Sequence, residues 1–238
     1  MKVEHEFFIG FRDVNHLNEL TNTAMLAYLE NMGGIHSDIV GNGINSKYTW
    51  VLLAWKVRII KRPKFGDTIK IVTWSREMEK FYAYRDYKVY NKQGELICIA
   101  TSKWVYIDIA KGKIVKVSQE VQELYQSEKI YAFSEDESIF NKLLEPENKI
   151  SNIEFKVTRS MIDTNNHLHN IYYLDIAKEA LPEEIYMNNK FNNFEIMYKK
   201  EIKCGETVKA FYSYEDAKHI ITVKSNSETE LHAMIILN

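Results

Sequence analysis

Asp163-Thr-Asn165-Asn-His167 places a carboxylate, an amide and an imidazole at every second residue, and the run leads into an amphipathic segment. In an extended chain, side chains two apart share a face, so these three would converge on one side. Together they supply a base, an orienting donor and acceptor, and a group that titrates near neutrality. That is the equipment of a hydrolytic or proton-transfer site. The same residue types also build polar turns ahead of helices, and on these residues alone both readings stay open. His167-Leu-His169 offers two imidazoles to a metal, but a zinc site needs a third ligand and usually a fourth, and no Cys/His pair elsewhere has that spacing. We therefore expect no metal and no cofactor.

The elements that must position these groups come in two copies. Trp55 to Lys70 aligns without gaps to Phe194 to Lys209, with Gly66 falling on Gly205, 139 residues later. In each copy a strand reaches a Gly-acid-Thr turn and a second strand follows. Thr68 to Trp74, Phe81 to Tyr90 and Leu96 to Ile107 read as an antiparallel meander with Asn91-Lys-Gln-Gly94 as a hairpin turn. The second copy is briefer, with Val208 to Tyr214, Ile220 to Lys224 and Leu231 to Leu237. One helix precedes each set. Thr21 or Asn22 caps the first, whose apolar stripe is Met25, Leu26, Leu29 and Met32, and Gly33-Gly34 should end it. Asn170 caps the second, with Tyr173, Leu174, Ala177 and Leu181 inward, and Pro182 should stop it. The layout is α+β, a helix wrapped by a curved antiparallel sheet, used twice. We expect units at 1–130 and 151–238 joined at 131–150; the stretch from Ala110 to Ile150, charged and holding Ser134-Glu-Asp-Glu137, reads as a helical, partly exposed connector.

At 238 residues the chain can bury about 70–75% of its unfolded surface without staples. A formal net charge of −2 carries no global signature of nucleic-acid binding. Cys98 and Cys204 form no CxxC, which suits a reduced cytoplasmic setting. Charges fill the amino terminus where a signal peptide would be apolar, and no apolar run is long enough to span a membrane.

Arg62-Pro63-x-x-Gly66-Asp67, Val72-Thr-Trp74, Arg85-Asp86, Ala100-Thr-Ser-x-Trp104-Val105, Asp163-x-Asn165-x-His167 and Tyr198-Lys-Lys-Glu201 together resemble the acyl-acyl-carrier-protein thioesterases of plants and bacteria. The resemblance covers nearly the whole chain and implies two tandem hotdog domains. It implies a catalytic set of Asp163, Asn165, His167 and, 34 residues beyond the histidine, Glu201. Plant members carry a cysteine directly after that glutamate, whereas this chain has Ile202, so a thiol mechanism at that position is excluded. Cys204, on the face of Ile202 in an extended strand, is expected to be a small buried hydrophobe. The first copy offers Asp13-Val-Asn15-His16 with altered spacing and Arg62 opposite Glu201, so we expect no second centre there.

The implied reaction is hydrolysis of a fatty acyl-acyl carrier protein thioester, releasing free fatty acid. Glu201 or Asp163 would activate water while Asn165 and His167 orient it, and backbone N–H groups near His169 to Tyr172 would hold the oxyanion. Attack by a carboxylate through an anhydride is the rival route. The acyl chain would occupy a tunnel in the first hotdog with its floor near Met25, Leu26, Leu29 and Met32. The acidic carrier would dock on Lys199, Lys200 and Lys203, with Lys56, Arg58, Lys61, Arg62 and Lys64 as further basic residues. A homodimer is compatible with all of this. The competing functions are acyl-CoA hydrolysis and a non-catalytic acyl- or carrier-binding hotdog.

Overall fold

The structure, a computed structural model, describes residues 1–41, 47–134, 140 and 143–238. The chain divides into two compact units, Met1–Ile139 and Phe140–Asn238. In the first, strands β1 (Lys2–Phe8), β3 (Thr68–Ser75), β4 (Tyr82–Asn91), β5 (Leu96–Asp108) and β2 (Tyr48–Ile59) are neighbours in the order β1-β3-β4-β5-β2, and β6 (Lys113–Ile114) pairs with β5. All of these pairings are antiparallel. Helix α1 (Asn22–Ile39) packs on this sheet through Met25, Leu26, Leu29 and Met32, each with no exposed surface. Thr21 caps it, its hydroxyl accepting the N–H of Ala24 at 3.1 Å.

Gly33 and Gly34 do not end α1, which runs six residues past Gly33. Glycine stops a helix only where the backbone takes the left-handed turn, and these two have no positive φ. A Cβ on Gly33 would lie 3.2 Å from the Tyr87 hydroxyl and 3.8 Å from Cδ of Arg85. The residue is bare because the sheet comes close.

The second unit repeats the plan with β8 (Asn193–Tyr198), β11 (Leu231–Leu237), β10 (Lys218–Ser225), β9 (Thr207–Glu215) and β7 (Ser151–Lys156) in the order β8-β11-β10-β9-β7. Its helix is shorter. α3 (Tyr172–Ala180) buries Tyr173, Leu174, Ile176 and Ala177, and Pro182 then starts α4 (Glu183–Asn188). A proline cannot continue the first helix but suits the start of the next. The expected cap, Asn170, is not used; Ile171 holds the N-cap position with no side-chain bond.

The strands β1, β6 and β7 were not expected. β1 and β7 each lie at the outer side of their sheet with alternate residues exposed. The segment expected to be a helical connector holds the two-residue strand β6 and one short helix, α2 (Gln119–Tyr125), and is otherwise irregular where described. Residues 135–137 of Ser134-Glu-Asp-Glu137 lie outside the described residues. No helix among the described residues is long and apolar enough to cross a membrane.

Candidate active site

Residues 163–167 form a closed turn, contrary to the extended run expected from their alternation. Ile162 and Leu168 pair as an antiparallel bridge. Between them the Asp163 N–H donates to the His167 carbonyl at 2.8 Å and the Asn166 N–H to the Asp163 carbonyl at 3.1 Å, with Asn166 at φ 65°. The carboxylate closes the loop: Oδ1 accepts the N–H groups of Asn165 (2.8 Å) and His167 (3.0 Å), and Oδ2 accepts the Asn165 amide at 3.3 Å. Short polar side chains compete in this way with extended pairing, and Asn tolerates the left-handed position. Asp163 is thus committed to its own loop, which leaves the half-buried His167 imidazole and the exposed Asn165 at the rim.

Glu201 arrives by a bulge. Regular pairing of β8 with β11 ends at Tyr198 and Ala233. Beyond it the N–H groups of Lys199 (2.8 Å) and Lys200 (3.3 Å) both donate to the His232 carbonyl. Two residues facing one bend the strand, and the chain then runs beside the Asp163 turn. Leu168 N–H donates to the Ile202 carbonyl at 2.7 Å, and His167 pairs with Lys203. The Glu201 side chain is exposed and makes no hydrogen bond or ion pair among the described residues. It borders a groove of about 510 Å3 with Lys203, Glu206, Glu230 and His232. The segments carrying His167 and Glu201 are therefore adjacent, but Glu201 makes no direct bond to Asp163, Asn165 or His167, and none of those three lines the groove.

Of the N–H groups expected to hold an oxyanion, three are occupied. His169 donates to the Met161 carbonyl (2.9 Å), Tyr172 to the His169 carbonyl (3.0 Å) and Ile171 to Nδ1 of His169 (3.5 Å). The Asn170 N–H makes no hydrogen bond among the described residues. Burial lowers the His169 pKa below the ordinary imidazole value against the opposing pull of the Asp163 charge, so this ring is neutral at neutral pH.

The first unit contains the same turn with different side chains. Oδ1 of Asn15 accepts the N–H groups of Leu17 (2.9 Å) and Glu19 (3.0 Å), Asn18 sits at φ 60°, and Leu20 N–H donates to the Pro63 carbonyl at 2.8 Å. Asn15 therefore stands where Asp163 stands, Glu19 where His167 stands, and Arg62 where Glu201 stands. Asp13 is not its counterpart: Oδ2 of Asp13 accepts Gly10 N–H at 2.7 Å and the Tyr28 hydroxyl at 2.6 Å. Arg62 donates to the Leu20 carbonyl (2.7 Å) and to Oδ1 of Asn22 (2.8 Å). A packed guanidinium fills the place of the exposed carboxylate.

A cavity of about 220 Å3 opens in the first unit between α1 and the sheet, walled by Gly33, Ser37, Trp50, Met78, Arg85 and Trp104 among others. Met25, Leu26, Leu29 and Met32 do not line it; the later turns of the same helix do. Arg85 donates to Nδ1 of the fully buried His36 at 2.5 Å. Burial, reinforced by that guanidinium, pushes the His36 pKa down to about 3.

Lys200 pairs with Glu230, while Lys199 and Lys203 are exposed. Lys61 pairs with Glu95, and Lys56 and Arg58 lie over the Phe133 ring. Cys98 is buried as a small hydrophobe, but Cys204 is exposed, contrary to expectation. It sits at the tip of the turn closed by Lys203 N–H on the Glu206 carboxylate (2.8 Å), off the strand that would have buried it.

Two family models match the chain, one described as Acyl-ACP thioesterase N-terminal domain over residues 1–125 and one as Acyl-ACP thioesterase C-terminal domain over residues 144–237. The oleoyl-acyl carrier protein thioesterase 1, chloroplastic, of Arabidopsis thaliana is 26% identical over 226 residues, covering 87% of this chain and 62% of its own length. The palmitoyl-acyl carrier protein thioesterase, chloroplastic, of the same plant is 25% identical over 200 residues, 79% of this chain and 47% of its own. The chain thus spans about half to three-fifths of the length of these curated relatives. Among solved structures, an acyl-ACP thioesterase from Bacteroides thetaiotaomicron VPI-5482 superposes with a TM-score of 0.87 at 21% identity, covering 99% of this chain and 96% of that one. The 12:0-ACP thioesterase from Umbellularia californica gives 0.87 at 17% identity over 100% and 96%. The shared fold is α+β, the hotdog fold.

Proposed function

The chain belongs to the acyl-ACP thioesterase family, and on that premise we propose that it hydrolyses the thioester of a fatty acyl-acyl carrier protein, releasing free fatty acid and ending chain elongation. The observation that carries the reading is the state of Glu201: an exposed carboxylate with no hydrogen bond or ion pair among the described residues, on a segment paired to the one that bears His167. Glu201 is assigned as general base in preference to Asp163, whose oxygens are taken up by its own turn. The base removes a proton from water as the water oxygen bonds to the thioester carbon. Negative charge gathers on the carbonyl oxygen, and the Asn170 N–H is assigned to hold it. The tetrahedral intermediate then expels sulfur as the C–S bond breaks, and the proton held by Glu201 returns to the thiolate. His167 and Asn165 orient the water.

Residues 151–238 are assigned the chemistry, residues 1–130 the acyl chain, and 131–150 the join. The cavity beside α1 supports the second assignment, with Met25, Leu26, Leu29 and Met32 forming the packed base of the helix that carries it. The acidic carrier would be met by Lys199 and Lys203, with Lys200 already engaged by Glu230. Two unpaired cysteines suit a reducing compartment such as the cytoplasm.

The test is release of fatty acid from acyl carrier protein thioesters of several chain lengths, run beside the matching acyl-CoA thioesters. The reading expects turnover on the carrier substrates and a loss of about 10²–10⁴ in Glu201→Gln. Faster turnover of the CoA esters would move the activity to that carrier, and no turnover of either would remove the hydrolase. A single turnover in 18O-water separates direct attack, with label only in the fatty acid, from an anhydride, with label in the Glu201 carboxylate.

A further inference from the structure

We propose that His232 and Tyr173 are positioning residues for Glu201, acting through the carbonyl of Lys200; the inference rests on the reading of Glu201 as the base. That carbonyl belongs to the peptide plane that enters Glu201. It accepts Nδ1 of His232 at 3.2 Å and the Tyr173 hydroxyl at 3.4 Å. A carbonyl only accepts, so the His232 proton sits on Nδ1. The peptide plane is rigid, and a donor on β11 and another on α3 pin it from two elements. The orientation of the backbone that carries the Glu201 side chain is fixed with it.

The first unit supplies the control. Its strand makes the same bulge: Ile60 and Lys61 N–H groups both donate to the Ile97 carbonyl, at 2.8 and 3.1 Å. Ile97 thus occupies the place of His232, and counting from the shared turn Met25 occupies the place of Tyr173. Both are buried and neither carries a polar atom able to hold a carbonyl. The bulge therefore forms without the histidine or the tyrosine, so the pair is not needed to fold it. Burying an imidazole and a phenol, 4% and 2% exposed, where apolar residues suffice carries a desolvation cost. The two donors occur in the unit where the bulge delivers an uncommitted carboxylate and not in the unit where it delivers the packed Arg62. His232 also borders the groove beside Glu201.

The experiment measures kcat and KM on the acyl carrier protein thioester that wild type turns over fastest, for His232→Ile, Tyr173→Phe and His232→Asn, each also built on Glu201→Gln. Loss of either donor should lower kcat about tenfold, since one hydrogen bond and a small misplacement of the base are involved. KM should stay within about twofold, because binding of the ground state is untouched. His232→Asn, whose amide can reach the same carbonyl, should recover most of the rate. On the Glu201→Gln background neither substitution should slow the residual rate further. Unchanged kcat in both donor variants overturns the inference, as does an equal further loss without Glu201 or an asparagine variant as slow as isoleucine. If His232→Ile does not fold, as judged by circular dichroism, Tyr173→Phe, which removes a single oxygen, decides. A rate indifferent to Glu201→Gln sinks the base assignment and the inference with it; a Glu201-dependent rate indifferent to both donors sinks the inference alone.

Discussion

Replacing Asp163 by Ala and by Asn separates holding the loop from doing the chemistry. The carboxylate accepts two backbone N–H groups, at 2.8 and 3.0 Å, and one side-chain amide at 3.3 Å. Asp163→Ala removes the oxygen that accepts both backbone N–H groups. A net hydrogen bond contributes about 0.5–1.5 kcal/mol and water can reach Asn165, so the loss is about 1–2 kcal/mol of loop stability. Asp163→Asn keeps Oδ1, and the first unit shows that an asparagine holds this turn, with Asn15 accepting the same two donors at 2.9 and 3.0 Å. Its cost should stay below about 0.5 kcal/mol. The local readout is amide hydrogen exchange at Asn165 and His167, which should quicken about 5–30-fold in the alanine variant and little in the asparagine variant. Activity of Asp163→Asn should fall about tenfold or less, the worth of the lost Asn165 contact, and not the 10²–10⁴ expected on removing a general base. Equal exchange in the two variants would refute the turn argument; an Asp163→Asn loss as deep as that of Glu201→Gln would refute the division of labour.

Cys204 should react with a thiol reagent in the native protein and Cys98 only after unfolding, since burial pushes the Cys98 thiol pKa up and denies access; labelled Cys204 should leave turnover intact, and loss of activity on labelling would restore a role for that thiol. His36 is neutral in the fold down to about pH 3 but titrates near 6.5 when unfolded. The unfolded chain therefore binds the extra proton in that window, and stability falls as pH drops, by about 2 kcal/mol between pH 8 and pH 5. Urea midpoints should show this in wild type and not in His36→Gln, and identical pH dependence in the two would dismiss the assignment. Reversing Lys199 and Lys203 to Glu should raise KM for carrier thioesters far more than for acyl-pantetheine, with kcat nearly unchanged; equal effects on both would discard the docking surface.

Much of the fold is visible in the residues because the repeat carries its own punctuation. Gly66 and Gly205 both adopt positive φ, at 88° and 84°, and the strands around them alternate strongly enough to be bounded within a residue or two. β1 and β7 escape notice because Glu4, His5 and Glu6, or Ser151 and Glu154, dilute the apolar signal of strands covered on one side. Gly33-Gly34 misleads because a helix glycine can answer to a neighbour instead of to a turn; what keeps it bare is Tyr87, distant in sequence. At the site, the residue types were legible but their arrangement was not. Period-two spacing speaks for a strand only until a carboxylate captures its own backbone, as Asp163 does. The bonds of His232 and Tyr173 leave no local sequence signal, because their partner is a backbone carbonyl, identical in every residue. The contrast of His232 with Ile97 across the repeat is the trace that would have found them.

The central claim is that Glu201 activates water on a carrier-bound thioester. Purified wild type and Glu201→Gln, matched in circular dichroism, should be compared for fatty acid released per second from the same acyl carrier protein thioester. The account predicts turnover by wild type and a kcat lower by about 10²–10⁴ in the variant with KM little changed. Equal kcat in the two proteins would contradict it.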